Sequence, residues 1–198
     1  MTSSPLLRPA ALDAHRPLSA PADHTDAELT ALLGLLTTAR PRIHTVAIGH
    51  SRDDASRAAA EAFTEAWRAR GGSVLAVVDW PEQAASWLRP AQRLTAQAPD
   101  AWVIAAAPLG WIQLARRLRH STAWSPGRTF GFAALAEPRA VALAGPDAPD
   151  GPHTPDDPHT PDDPHTLDGL RGATADGGRW EVRHGRLVTP PPSDGGDR

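Results

Sequence analysis

The sequence contains no cysteine, lysine, asparagine or tyrosine. Without cysteine, disulfides, thiol nucleophiles, thiolate metal sites and cysteine-borne lipid anchors are all excluded, and the redox compartment is left open. Without lysine, all 20 basic residues are arginine, a bias that reads as high-GC coding rather than as chemistry. Net charge is also low: the formal value of −3 argues against a general nucleic-acid binder, which shows a strong basic excess. Long apolar runs are missing too. Val103 to Leu109 falls far short of the roughly 18 residues that a membrane span needs. Near the start, Arg8, Pro9, Asp13 and His15 interrupt the leucines and alanines before a secretory core is reached. These absences set the expectation of a soluble cytoplasmic protein with no membrane span.

What the chain has in abundance is proline, 21 residues, and glycine, 16, beside a hydrophobic content of 40%. That hydrophobic share suffices for one core. The prolines gather before residue 26, across 145–168 and after 188. The expectation is therefore a disordered segment 1–24, one folded domain over 25–188 and a disordered tail 189–198. An insertion at 146–167 interrupts the domain. Within it one hexapeptide is written three times, PDGPHT, PDDPHT and PDDPHT, a pattern of slippage duplication and of disordered or polyproline-like chain. Loop closure rises by only about 0.6 kcal/mol per doubling of length, so a fourfold longer loop costs the fold about 1.2 kcal/mol. His153, His159 and His165, with Asp156, Asp157, Asp162 and Asp163, are ligand types that zinc, nickel or copper accept. Flexible histidines with nothing behind them make no defined site, so neither metal nor cofactor is assigned.

Periodicity places the elements. Thr25 and Glu28 have capping-box spacing ahead of Leu29, Leu32, Leu33 and Leu36, which predicts a helix ended by Pro41. Ile43 to Gly49 reads as a strand with a surface His44, followed by a turn at Gly49, His50 and Ser51. A helix over 52–70 carries Ala55, Ala59, Ala62, Phe63 and Ala66 on one face and stops at Gly71 and Gly72. Val74 to Val78 is a continuous apolar strand of the kind covered on both faces. Asp79 with Glu82 marks the next helix start, and Pro90 kinks or splits that helix. Trp102 to Ala106 is the third strand. The helix after it buries Trp111, Leu114, Ala115 and Leu118, and Thr129 to Ala133 is a fourth strand before a short helix through Val141 and Leu143. Trp67, Trp87, Trp102 and Trp111 read as packing residues, and Arg116, Arg117 and Arg119 as a solvated helix face. Alternation at this spacing implies a parallel sheet with helices on both faces.

Enzyme signatures are lacking. Ser51 has no G-x-S-x-G context, and Asp53 and Asp54 are placed as helix-start acids. Gly71 and Gly72 come after a helix instead of opening one, so neither a dinucleotide fingerprint nor a phosphate loop is present. The expectation is a protein that is not an enzyme.

The stretch RIHTVAIGHSRDDASRAAAEAFTEAWRARGGSVLAVVDWP resembles the strand, long alanine-rich helix, double glycine and second strand of the second lobe of type I periplasmic binding proteins. These are substrate-binding proteins of ABC transporters, of the leucine and branched-chain amino-acid-binding kind. APDAWVIAAAPLGWIQLARRLRHS is similar to the next strand and helix of that lobe, GFAALAEPRAVALAG to the fourth strand and its helix, and DGLRGATADGGRWEVRHGRLV to the closing glycine-rich hairpin. The resemblance covers roughly 42–188 apart from the insertion. It implies a three-layer, Rossmann-like α/β lobe with a parallel sheet whose carboxyl edge forms the ligand crevice. Carried onto this chain, the crevice positions are His50, Ser51 and Arg52 after the first strand, Ala107, Pro108 and the nearby Trp111 after the third, and Ala133 and Ala134 after the fourth. His50, Ser51 and Arg52 alone offer polar contacts, and their other reading is helix capping beside a solvated arginine.

The resemblance implies a degenerate or divided ABC-transporter-type substrate-binding protein that holds a small amino-acid-like solute noncovalently. Ligand sites enclose about 70–90% of a ligand's surface, and a lone lobe offers half a cleft. A homodimer or a separately encoded first lobe would supply the other wall. The alternative is a non-enzymatic cytoplasmic interaction module that has lost ligand binding and docks a protein through an exposed apolar patch.

Overall fold

The computed structural model describes residues 18–145 and 167–190. The hexapeptide repeat with its three histidines, residues 1–17 and residues 191–198 lie outside the described residues.

Helix α1 (Asp26–Thr38) opens on the expected capping box. The Thr25 hydroxyl accepts the Glu28 N–H at 3.0 Å, and the Glu28 carboxylate accepts the Thr25 N–H at 3.4 Å. Leu32, Leu33 and Leu36 are its buried stripe. After α1 come β1 (Thr45–Ser51), α2 (Asp54–Ala69), β2 (Ser73–Trp80), α3 (Leu88–Thr95), β3 (Ala101–Ala105), α4 (Pro108–Ser121), β4 (Thr129–Gly131) and α5 (Pro138–Ala144). Strands β5 (Arg171–Ala173), β6 (Arg179–Arg183) and β7 (Arg186–Val188) close the chain. All seven strands form one sheet in the order β2-β1-β3-β4-β5-β6-β7. The pairs from β2 to β5 are parallel, and β6 and β7 add antiparallel. One core, with α1 and α2, covers one sheet face through Leu32, Leu36, Phe63 and Trp67. The other, with α3, α4 and α5, covers the opposite face through Leu94, Trp111, Leu118 and Val141. This is the expected three-layer α/β architecture.

Several local expectations are corrected. β1 runs on to Ser51, so Gly49, His50 and Ser51 are strand residues paired with Val78, Asp79 and Trp80 rather than a turn. β2 is an edge strand, and Val77 is 44% exposed, so its apolar run is not covered on both faces. Because β2 extends to Trp80, Asp79 lies in the sheet and the next helix waits until Leu88, which puts Pro90 in the first turn, where the ring is tolerated. Helix α2 buries Ser56, Ala59, Ala60, Phe63 and Trp67, while Ala55, Ala62 and Ala66 are only partly buried at the margin of that face. β4 stops at Gly131, and Ala133–Leu135 is a single 3-10 turn. Arg116 is buried instead of solvated. Its guanidinium donates to the carbonyls of Leu143 and Gly145, joined there by Arg119, where a cation suits the carboxyl end of α5.

Tryptophan laid over glycine fixes the sheet's interior. Trp180 on β6 spans Gly172 of β5 and Gly131 of β4, and its indole N–H donates to the Ala173 carbonyl at 3.0 Å. A Cβ on Gly172 would come within 1.9 Å of the Gly131 carbonyl oxygen and 2.5 Å of the Trp180 ring. At the far hairpin His184 and Gly185 both adopt positive φ, as a two-residue turn between twisted strands requires, and Asp168 accepts both of their N–H groups.

Gly172→Ala should therefore destabilise the fold by about 2 kcal/mol or more, whereas Gly127→Ala, whose nearest neighbour would be the Ser125 hydroxyl at 3.9 Å, should be close to neutral. Urea unfolding of both variants makes the comparison, and equal midpoints would refute the packing account.

Candidate functional site

After β1 the chain leaves toward α2 on one sheet face, and after β3 it leaves toward α4 on the other. No crossover covers the gap between these two strand ends, so a crevice opens there, at the topological switch point where open α/β sheets bind ligands. A cavity of about 270 Å³ occupies it. Ala55, Ser56 and Ala59 of α2 form one wall, Ala105, Ala106 and Pro108 the second, and Phe132, Ala133 and Ala134 the third. Ser19 to His24 runs across the mouth as a strap, and His24 meets Phe132 edge-on with ring centroids 6.1 Å apart.

Most of the wall is alanine, which leaves room without offering contacts. Polar groups are few and placed. The Ser56 hydroxyl is buried, with the residue 2% exposed, and it has no hydrogen-bond partner among the described residues, nor has His24 Nδ1. Asp23, Glu28 and Glu137 also line the cavity, and none of its lining residues is an arginine. Glu28 joins helix and loop: one carboxylate oxygen accepts the Ala133 N–H while the other serves the helix cap. Burial pushes its carboxyl above the ordinary range, against the opposing pull of the Ala133 and Thr25 N–H groups and of His24.

Behind the crevice a second set of bonds joins the ends of β1 and β3. The Ser51 Oγ accepts the Ala107 N–H at 2.8 Å. Glu82 accepts the Gly110 N–H at 2.9 Å, an anion at the amino end of α4, where the helix dipole favours it. Burial raises the Glu82 carboxyl as well, and the nearby Asp53 adds to the effect.

No protein-family model and no curated protein matches the sequence. Solved structures do match. A protein of Rhodospirillum rubrum provisionally described as a branched-chain amino acid ABC transporter superposes over 62% of this chain and 35% of its own, with a TM-score of 0.52 and 24% identity. Rp1789 of Rhodopseudomonas palustris superposes over 60% of this chain and 32% of its own, with a TM-score of 0.51 and 16% identity. The chain has the fold of one lobe of a type I periplasmic binding protein. It spans about a third of the length of the structures it matches.

Within this lobe Pro108, Ala133 and Ala134 line the crevice. Ala107 lies beside them as the N-cap of α4, held by Ser51. Ser51 itself is wholly buried as a strut. Arg52 pairs with Asp79 at 2.6 Å in solvent. His50 turns to a shallow groove on the outer side of α2, beside Glu61, Glu65 and Arg68, and its Nδ1 lies 2.8 Å from the Ser51 carbonyl. Trp111 is core, 1% exposed, with its ring edge-on to Trp124. The structure thus brings the third- and fourth-strand positions together and takes His50, Arg52 and Trp111 out of the crevice. Sequence reasoning missed Ser56, Glu28 and the strap. Glu28 was recognisable as a cap, but its reach to Ala133 depends on a contact 105 residues away.

A carboxyl whose pKa is raised by folding contributes stability while protonated, fully below its unfolded pKa, and that contribution is lost as pH rises through the folded value. Glu28→Gln cannot ionise. Relative to the parent, the variant should gain stability as pH rises from about 4.3, the usual glutamate value, until Glu28 is ionised in the folded protein as well. Chemical unfolding across that range measures it, and a difference that stays constant with pH would refute the assignment.

Proposed function

We propose that the chain captures a small amino-acid-like solute noncovalently in the crevice at the carboxyl edge of the sheet, as a divided or degenerate substrate-binding protein of the ABC-transporter type. The observation that carries this reading is a buried, unpartnered Ser56 hydroxyl in an otherwise alanine-walled cavity at the switch point. A buried hydroxyl left without a partner costs about 1–3 kcal/mol, and a ligand that bonds to it removes that cost. The volume of about 270 Å³ falls just under the roughly 300–1,000 Å³ of drug-sized sites, which favours a solute of amino-acid size. Charge favours the same class: the ammonium of such a solute suits the carboxylates of Asp23 and Glu137, and its carboxylate suits the Ser56 hydroxyl as a donor. The strap supplies part of the enclosure that a first lobe would give. A second copy of the chain or a separately encoded lobe, closing over the strap, would complete it.

An interaction module without ligand has less support. That reading calls for an apolar patch at this edge. The large apolar side chains exposed among the described residues are Val77, Leu88 and Val188, on three different elements.

Thermal unfolding of the full chain, with its mass in solution, against a panel of amino acids and small amides tests the proposal. A ligand at about a hundredfold its dissociation constant adds roughly 2.7 kcal/mol, a clear rise in Tm. Ser56→Ala should act in opposite directions on the two states, stabilising the ligand-free protein by about 1 kcal/mol while weakening the ligand-induced rise. Ala134→Leu should fill the cavity and abolish the rise. A cooperative transition that no solute moves would overturn the binding reading and leave the interaction module.

A further inference from the structure

The opposite edge of the sheet, where the parallel strands begin, carries a second cavity of about 260 Å³. Arg40 and Arg42 reach it from the chain entering β1, Arg128 from the turn before β4 and Arg171 from the first residue of β5. Asp100 is the one carboxylate in its lining. A chain of net charge −3 therefore gathers four guanidinium groups in a single depression.

One oxygen of Asp100 is taken up by the fold, and the charge of Arg128 acts on its carboxylate. Its Oδ2 accepts the N–H groups of His44 and Thr45 at 3.0 and 2.8 Å and the Thr45 hydroxyl at 2.9 Å. None of the four arginines forms an ion pair within 4.0 Å among the described residues. Two of them are held in place by other means. The Arg128 guanidinium lies 5.1 Å from the centroid of the Trp102 ring and donates to the carbonyls of Asp100 and Pro99. The Arg171 guanidinium lies 4.8 Å from the centroid of Phe130 and donates to the Gly127 carbonyl at 3.2 Å. Its Nε is buried with no partner among the described residues. Arg40 donates through Nη1 to the carbonyls of Thr38 and Ala39. Arg42 makes no side-chain hydrogen bond among the described residues.

Each guanidinium has five N–H donors, so most of those around this cavity remain unused. Like charges set together repel, and stacking on aromatic faces removes the rotamer entropy that binding would otherwise have to overcome. A planar carboxylate with two oxygens matches one such fork. A tetrahedral oxyanion presents acceptors in several directions and matches forks that arrive from three separate segments.

We infer that this cavity is an anion site for a phosphate dianion, free or as a small phosphomonoester. It is separate from the solute crevice, on the opposite edge of the sheet, and does not depend on what that crevice binds.

Isothermal titration of the full chain with inorganic phosphate tests it, with ionic strength held constant by chloride. Saturable binding is expected. Arg42→Gln should weaken it several-fold, and Arg42→Gln with Arg171→Gln by more than tenfold. Arg68→Gln, on the outer surface of α2, should leave it unchanged. The single Arg42 variant removes no hydrogen bond within the fold, so it stays informative if the double variant unfolds. Glycerol phosphate that binds as tightly as phosphate marks the phosphomonoester as the ligand, and phosphate alone marks the free ion. The inference is overturned by an absence of saturable heat, by unchanged affinity in Arg42→Gln or by an equal loss in Arg68→Gln. A single-stranded oligonucleotide that binds while phosphate does not would also overturn it.

Discussion

The pairing of β1 with β3 is the constraint on which the rest of this lobe depends, and a side chain locks it at each end. Asp100, one residue before β3, accepts two N–H groups and a hydroxyl from the start of β1 and donates its own N–H to the Thr45 hydroxyl. Ser51, the last residue of β1, accepts the N–H of Ala107 just beyond β3. With both ends tied, the register cannot slip by one residue, a change that would turn every side chain of the strand to the opposite face. The crevice at the carboxyl edge opens beside the Ser51 end and the arginine cavity surrounds the Asp100 end. One pair of strands therefore sets the separation and orientation of both candidate sites.

Charge is distributed along the same axis. Carboxylates of Asp23, Glu28 and Glu137 border the cavity at the carboxyl edge, and arginines border the one at the amino edge. Both arrangements are local, since the chain as a whole is only mildly acidic. Glu28 and Glu82 carry part of the cost, because burial raises both carboxyls. Both accept backbone N–H groups that no other side chain is placed to satisfy. At these two positions polar satisfaction has taken precedence over ease of ionisation.

Elements set by local chemistry were legible in the sequence. The box of Thr25 and Glu28 and the stripe of Trp111, Leu114, Ala115 and Leu118 are set by spacing within a dozen residues. The resemblance to a periplasmic lobe rested on the same cadence, and superposition bears out the fold. What remained hidden depends on where a strand sits in the sheet. Val74 to Val78 has the composition of a central strand, and nothing in it tells that β2 lies at the edge. His50 alternates with Ser51, and a strand that ends two residues later than expected sends one of them outward and the other into the protein. Ser56 carries no sequence mark at all, since a serine in the first turn of a helix reads as an ordinary capping neighbour until the cavity beside it is known. Pro108, Ala133 and Ala134 line the crevice because they come shortly after strand ends and so inherit their place from the sheet, whereas Trp111, a turn into its helix, points to the core.

The strap is part of the same covalent chain as the walls it crosses. Ser19 to His24 adjoins α1 and cannot diffuse away, so its local concentration at the crevice is set by the short connection through Thr25 and not by how much protein is present. Under the proposed reading, a solute too large to fit beneath it would compete with it, and its apparent affinity would be reduced by the share of molecules with the strap in place. A solute small enough to lie under it meets no such competition. Were the crevice to hold a solute, selection by size would be intramolecular: dilution would not weaken it, and a change in the strap's sequence would shift the cut-off without touching the walls of the crevice.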